Sequence, residues 1–305
     1  MQAVIFPGQG SQYVGMGKDL YEHSFLAREF FERADAALGF SLSKICFEGP
    51  EHELRQTKNT QPAIFLHSVV VTGLVDMSTA SMAAGHSLGE YSALVFAGAL
   101  TFEEGLKLVR LRGVLMQKAG EDHPGTMAAI VGLEPAALEA VCREASAAGV
   151  VQPANFNSPG QIVISGSVAG VRKGMELAKT RGAKLVKELV VSGAFHSPLM
   201  QQAKEGLSAA LATTPIRDAR IPVYANVTGR PVQKAEEIRT LLEQQLTSAV
   251  RWDDSVRGMI ADGAGTFVEL GPGKVLQGLV KRIDPAVETR GLDTYSDVEK
   301  LMTHA

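Results

Sequence analysis

Aspartate is absent between His123 and His196, and the whole chain has only two cysteines and one tryptophan among 305 residues. Cys46 and Cys142 stand too far apart to match a metal-ligand spacing, so they read as free thiols of a reducing compartment. No metal site is expected. Neither sign of charge dominates: 30 Lys and Arg against 33 Asp and Glu leave −3, without the basic footprint of a nucleic-acid binder. Long apolar runs are missing too. The longest, residues 62–77, is broken by His67, Thr72, Gly73 and Asp76, which excludes a membrane span. The apolar strand Ala3 to Phe6 follows Met1 directly, without the basic-then-apolar order of a secretion signal. A soluble, cytoplasmic chain is therefore expected. The Gly-rich turn PGQGSQ at 7–12 has no Gly-Lys-Ser/Thr after it and lacks the third glycine of a dinucleotide fingerprint. Its backbone amides could still approach a ligand or an oxyanion.

What is present is centred on residues 82–90, MAAGHSLGE, which contain Gly85-x-Ser87-x-Gly89. In a nucleophile elbow of this form a strand turns sharply into a helix and exposes the serine oxygen. The small-residue run 81–84 is predicted as the strand and residues 90–98 as the helix. The N-terminus of that helix would aim amides at the serine. A longer helix is predicted over 101–119. On its wheel Gly105, Leu108, Val109, Arg112, Leu115 and Met116 share one face, whereas Arg110 falls on the solvated side. A guanidinium in an apolar stripe is costly without an anion. Arg112 is therefore either paired with a protein carboxylate or reserved for a carboxylate on a ligand.

Between residues 125 and 192 the pattern becomes β-α-β-β-α-β, the order of a ferredoxin-like unit. The chain thus divides into a large α/β subdomain, 1–124 with 193–305, and a small inserted one, 125–192. The insert carries seven basic and five acidic residues, a net +2 that suits an acidic partner. Helices are also expected over 17–38 and 60–77, the latter with Pro62 in its first turn. Near the C-terminus a strand at 266–270 is expected to lead into one last helix.

A serine nucleophile needs a base. His23 and His52 read as solvent-facing, His304 as part of the tail, His67 as a core histidine, and His123 as a connector. His86 is expected to shape the elbow. His196 alone occupies a strand-to-helix turn of the kind that lines an α/β cleft. No acid between Ser87 and His196 is well placed, Glu103, Glu104, Glu121 and Asp122 lying near helix ends, so a dyad is expected, in which a backbone carbonyl orients His196.

Several segments agree with one family: FPGQGSQ at 6–12, GHSLGEYSAL at 85–94, RLRGVLMQ at 110–117, MAAIVGL at 127–133, NFNSPGQIVISG at 155–166, GAFHSPLM at 193–200 and FVELGPGKVL at 267–276. The sequence resembles the malonyl-CoA:acyl-carrier-protein transacylases of bacterial fatty-acid synthesis and the acyltransferase domains of polyketide synthases. The resemblance implies a hydrolase-like α/β core with a parallel sheet plus the ferredoxin-like insert. It implies Ser87 as nucleophile, His196 as base, and Arg112 as the grip on the malonyl carboxylate. The Gln9 and Leu88 amides would form the oxyanion hole, and the Gln245 carbonyl would orient His196. Met116 and Phe195 would line the acyl pocket, Phe195 being the bulky residue associated with malonyl rather than methylmalonyl. The family often has Asn-Pro where Ser248-Ala249 stands. The implied partners are malonyl-CoA and holo acyl carrier protein, which brings its own phosphopantetheine, so no resident cofactor is expected. A monomer acting without nucleic acid or membrane is expected. Alternatives are a polyketide-type or malonate-decarboxylase-associated acyltransferase, a thioesterase, or a carrier-binding scaffold.

Overall fold

A computed structural model describes residues 1–303; His304 lies outside them. Among the described residues ten strands form two sheets: β1 (Gln2–Phe6), β2 (Ala80–Gly85), β3 (Gly125–Val131), β4 (Val151–Ser158), β5 (Gln161–Ser167), β6 (Leu185–Glu188), β7 (Val223–Tyr224), β8 (Pro231–Val232), β9 (Thr266–Leu270) and β10 (Glu288–Leu292). The larger sheet runs β10-β9-β1-β2-β7-β8 and is parallel except for the edge strand β8. Its central strand β1 is apolar at every position after Gln2 because both faces are covered. Val4 and Phe6 enter a core with the helix Thr57–Leu74, and Ala3 and Ile5 enter one around Trp252 and the helix Val275–Ile283.

The second sheet, β4-β5-β3-β6, is antiparallel. Its helices Pro135–Ala145 and Val168–Thr180 close a separate core over Ala128, Ile130, Ile162 and Ile164. The β-α-β-β-α-β order expected from the sequence is the one that forms.

Four local expectations need correction. The stretch 17–38 is two helices, Lys18–His23 and Phe25–Leu38, because Ser24 is extended and its hydroxyl accepts from the Ala27 amide. The last strand of the insert, expected over 183–191, is only Leu185–Glu188. Residues 275–283 do not end the fold: β10 and the helix Tyr295–Thr303 follow. The edge strand β10, ETRGL, has too few apolar residues to signal itself.

The fourth correction joins two residues. The helix predicted from 60 begins at Thr57, so Pro62 lies in its interior and has no N–H to return to the Lys58 carbonyl. Arg110 supplies the donor. Its Nη1 donates to Lys58 O at 2.5 Å and to Asn59 Oδ1 at 3.0 Å, and its guanidinium lies 4.7 Å over the Phe40 ring. Arg110 is thus not a solvated arginine; it repairs the helix that Pro62 interrupts. Arg110→Met should cost about 1–2 kcal/mol in urea unfolding, and clearly less in a Pro62→Ala background, where the new amide can reach Lys58. Equal costs in both backgrounds would refute the repair.

Candidate active site

The elbow forms at the C-terminal end of β2, between β1 and β7. A Cβ on Gly85 would stand 1.9 Å from the Gly89 carbonyl carbon, so only glycine allows the helix Gly89–Phe96 to start so close to the strand. Ser87 is held at φ 52°, in the left-handed region that a side chain disfavours. Asn226, fully buried just after β7, holds the turn: Ser87 N donates to its Oδ1 at 2.6 Å, and its Nδ2 donates to Gly85 O at 2.7 Å. The PGQGSQ turn lies against the same place, where a Cβ on Gly8 would meet His86 O at 2.4 Å. Among the described residues neither the Gln9 nor the Leu88 amide donates to a protein acceptor.

His196 stands at 2.8 Å from Ser87, Nε2 to Oγ. It too is left-handed, at φ 58°. Its Nδ1 faces two carbonyl oxygens, Gln245 at 3.0 Å and Ser248 at 3.2 Å. Carbonyls only accept, so Nδ1 carries the proton and Nε2 is left free to accept the serine O–H. Burial, then the Arg112 charge, push the His196 pKa down to about 3, so the ring is neutral at neutral pH. Ser248 is a second acceptor that the motif does not announce.

Arg112 is fully buried, and among the described residues it forms no ion pair. Its Nη1 donates to Gln61 Oε1 at 2.8 Å, and its Nη2 donates to Gln245 Oε1 at 2.9 Å and to Ser87 Oγ at 3.0 Å. Its Nε has no partner, and Tyr91 offers a ring face at 5.7 Å. Of the two readings open for this arginine, the protein carboxylate is therefore not met. Glu90 comes nearest in function, one residue removed: its Oε2 accepts from Gln245 Nε2 at 2.8 Å and from Asn226 N at 3.0 Å. Burial raises the Glu90 carboxyl to about 7 against the pull of these donors and of Arg112.

Met116 and Phe195 line a cavity of about 120 Å³ with Ser87, His196, Gln9 and Gln61. This opens beside a cleft of about 650 Å³ bordered by Gln9, Tyr13, Arg55 and Val190. Of the other described histidines, only His86 lines this cavity. His86 Nε2 meets Asn157 Oδ1 of β4 at 2.9 Å, and His67 is buried 3.2 Å from Asp293. His23, His52 and His123 are exposed. Gln61, Glu90 and Asn226 were missed in the sequence. Only Asn226 had a signal there, as a polar residue ending a parallel strand beside the elbow.

A serine hydroxyl aligned on a neutral imidazole, beside unpaired amides and a buried cation, is equipped for acyl transfer through an acyl-serine. The chain belongs to the acyl transferase domain family, whose model matches residues 4–289. Within that family it is 46% identical over 300 residues to the malonyl CoA-acyl carrier protein transacylase of Bacillus subtilis, covering 97% of this chain and 95% of that one. It superposes with a TM-score of 0.95 on the acyl-carrier-protein S-malonyltransferase of Bartonella henselae, 40% identical, over 99% of this chain and 98% of that one. A malonyl-transacylase solved in complex with its type II polyketide-synthase acyl-carrier protein gives 0.95 at 38% identity, over 100% and 99% of the two chains.

Protonating His196 Nε2 would remove the acceptor for the serine proton, so a reaction that uses it should be lost as pH falls through its pKa. Because that pKa is lowered, Ser87 acylation should stay flat from about pH 8 to about pH 5. A fall centred near the ordinary histidine value in single-turnover rates would contradict this.

Proposed function

We propose that this chain transfers a malonyl group from malonyl-CoA to the phosphopantetheine thiol of acyl carrier protein, through a malonyl-serine, and so supplies extender units for fatty-acid synthesis. The observation that carries the reading is Arg112: a buried cation, matched only by neutral oxygens, whose Nη2 lies 3.0 Å from Ser87 Oγ. An acyl group on that oxygen with a carboxylate at its far end would give the guanidinium its missing anion.

In the first half-reaction Ser87 Oγ attacks the thioester carbonyl while His196 Nε2 takes its proton. The Gln9 and Leu88 amides receive the oxyanion, each such donor being worth roughly 2.7–4 kcal/mol of barrier. The tetrahedral intermediate collapses, the C–S bond breaks, and His196 returns the proton to the coenzyme A sulfur. In the second, the carrier's thiol gives its proton to His196 and attacks the malonyl-serine, and Ser87 leaves with that proton. The malonyl carboxylate also offsets the charge of Arg112, which makes the imidazolium formed in each step less costly. Malonyl-CoA is a substrate here, and the carrier brings its own phosphopantetheine, so the reaction draws on no resident cofactor.

Met116 and Phe195 bound the space for the acyl group. The large subdomain, 1–124 with 193–305, holds Ser87, Arg112 and His196. The small one, 125–192, carries a net charge of +2, which suits an acidic carrier.

Brief mixing with malonyl-CoA alone should give a malonyl adduct by intact-protein mass in the wild type and none in Ser87→Ala, and the adduct should disappear when holo carrier protein is added. Unmodified protein with accumulating malonate would make the chain a thioesterase instead. Arg112→Ala should lower malonyl transfer about 100-fold or more and acetyl transfer less than about tenfold, since only the malonyl group loses a charged partner. Equal losses in a two-substrate assay would remove Arg112 from the specificity role.

A further inference from the structure

The small subdomain touches the base directly. β4 is an edge strand, and its open side is continued by the segment that orients His196. Phe156 N donates to Val250 O, and Val250 N to Ala154 O, both at 2.8 Å, with Asn155 and Val250 bridged in parallel. From the same strand the Gln152 Nε2 amide donates to His196 O at 2.9 Å and to Thr247 O at 3.3 Å. Thr247 lies between Gln245 and Ser248, the two residues whose carbonyls accept from His196 Nδ1. One NH₂ group therefore joins the backbone of the base to the backbone that sets its ring.

We propose that Gln152 is a positioning residue for His196: it fixes the distance between the histidine turn and the 245–248 carbonyls, and with it the alignment of Nε2 on Ser87. The proposal rests on the malonyl-serine reading of the site. Glutamine suits the position because two carbonyl oxygens converge there, and its amide offers two N–H donors without adding a charge beside a base already close to Arg112. His196 holds a left-handed backbone that costs about 1–3 kcal/mol and persists only where its surroundings enforce it. Without Gln152 the two carbonyls would face each other without a donor, and the turn and the 245–248 segment would move apart.

The test is single-turnover malonylation of Ser87 across malonyl-CoA concentrations, read by intact mass, on the wild type, Gln152→Leu and Gln152→Glu. A wild type that forms no adduct would overturn the functional reading itself, whatever the variants do. Given a wild-type adduct, Gln152→Leu should acylate about 10- to 100-fold more slowly at saturation, with half-saturation within about threefold, because alignment is lost and substrate binding is not. Gln152→Glu should be as slow near pH 8, where its carboxylate opposes two carbonyls. It should recover to within about tenfold of wild type near pH 5, where the protonated acid can donate. A residue serving only the fold would not produce that recovery. A wild-type rate in Gln152→Leu, a Gln152→Glu equally slow at both pH values, or loss of the folded transition in both variants would each overturn the proposal.

Discussion

The constraint on which the site depends is a positive charge placed where no water reaches it. Arg112 is fully buried and directs its donors at Gln61, Gln245 and Ser87, all neutral oxygens. Burying a charge this way is tolerable only when a counter-charge is near, and Glu90 stands behind Gln245 with a carboxyl raised to about 7. The compensation is therefore partial at neutral pH. The same field reaches His196, whose basicity is lowered first by burial and then by Arg112. An anionic acyl group arriving at Ser87 would relieve both. In the proposed reaction, selectivity and base strength are thus tied to one side chain.

Around this charge the hydrogen bonds form one connected set. Gln245 serves four partners: its Oε1 accepts from Arg112, its Nε2 donates to Glu90 and Ser87 O, and its carbonyl faces His196 Nδ1. Asn226 closes the set by holding both the elbow and Glu90. Few of these groups could be lost without leaving another buried polar atom unpaired, which is costly in a dry interior.

The parts legible in the sequence were those whose cause is local. Gly85-x-Ser87-x-Gly89 announces a close strand-to-helix turn, and the wheel over 101–119 isolates Arg112 because the helical period does so within a few turns. The β-α-β-β-α-β insert was readable from alternation and turn residues. Arg110 was misread because the carbonyl it serves lies 52 residues earlier, freed by a proline in another helix. Gln152, Gln61 and Glu90 look like ordinary polar residues until strands and helices distant in sequence meet; Gln152 and Thr247 are 95 positions apart. Ser24 and β10 were missed for the opposite reason: their signals are local but weak.

Ser87 and His196 are the two non-glycine residues with positive φ among those described, and they are the pair that faces each other across the site. Each sits where glycine would be more comfortable. Glycine would relax both backbones, but at His196 it would leave the Gln245 and Ser248 carbonyls without their donor, so backbone ease pulls against the chemistry chiefly at Ser87. A search for heat-resistant variants that ignores turnover would therefore be drawn to Ser87, the residue that the proposed reaction cannot spare.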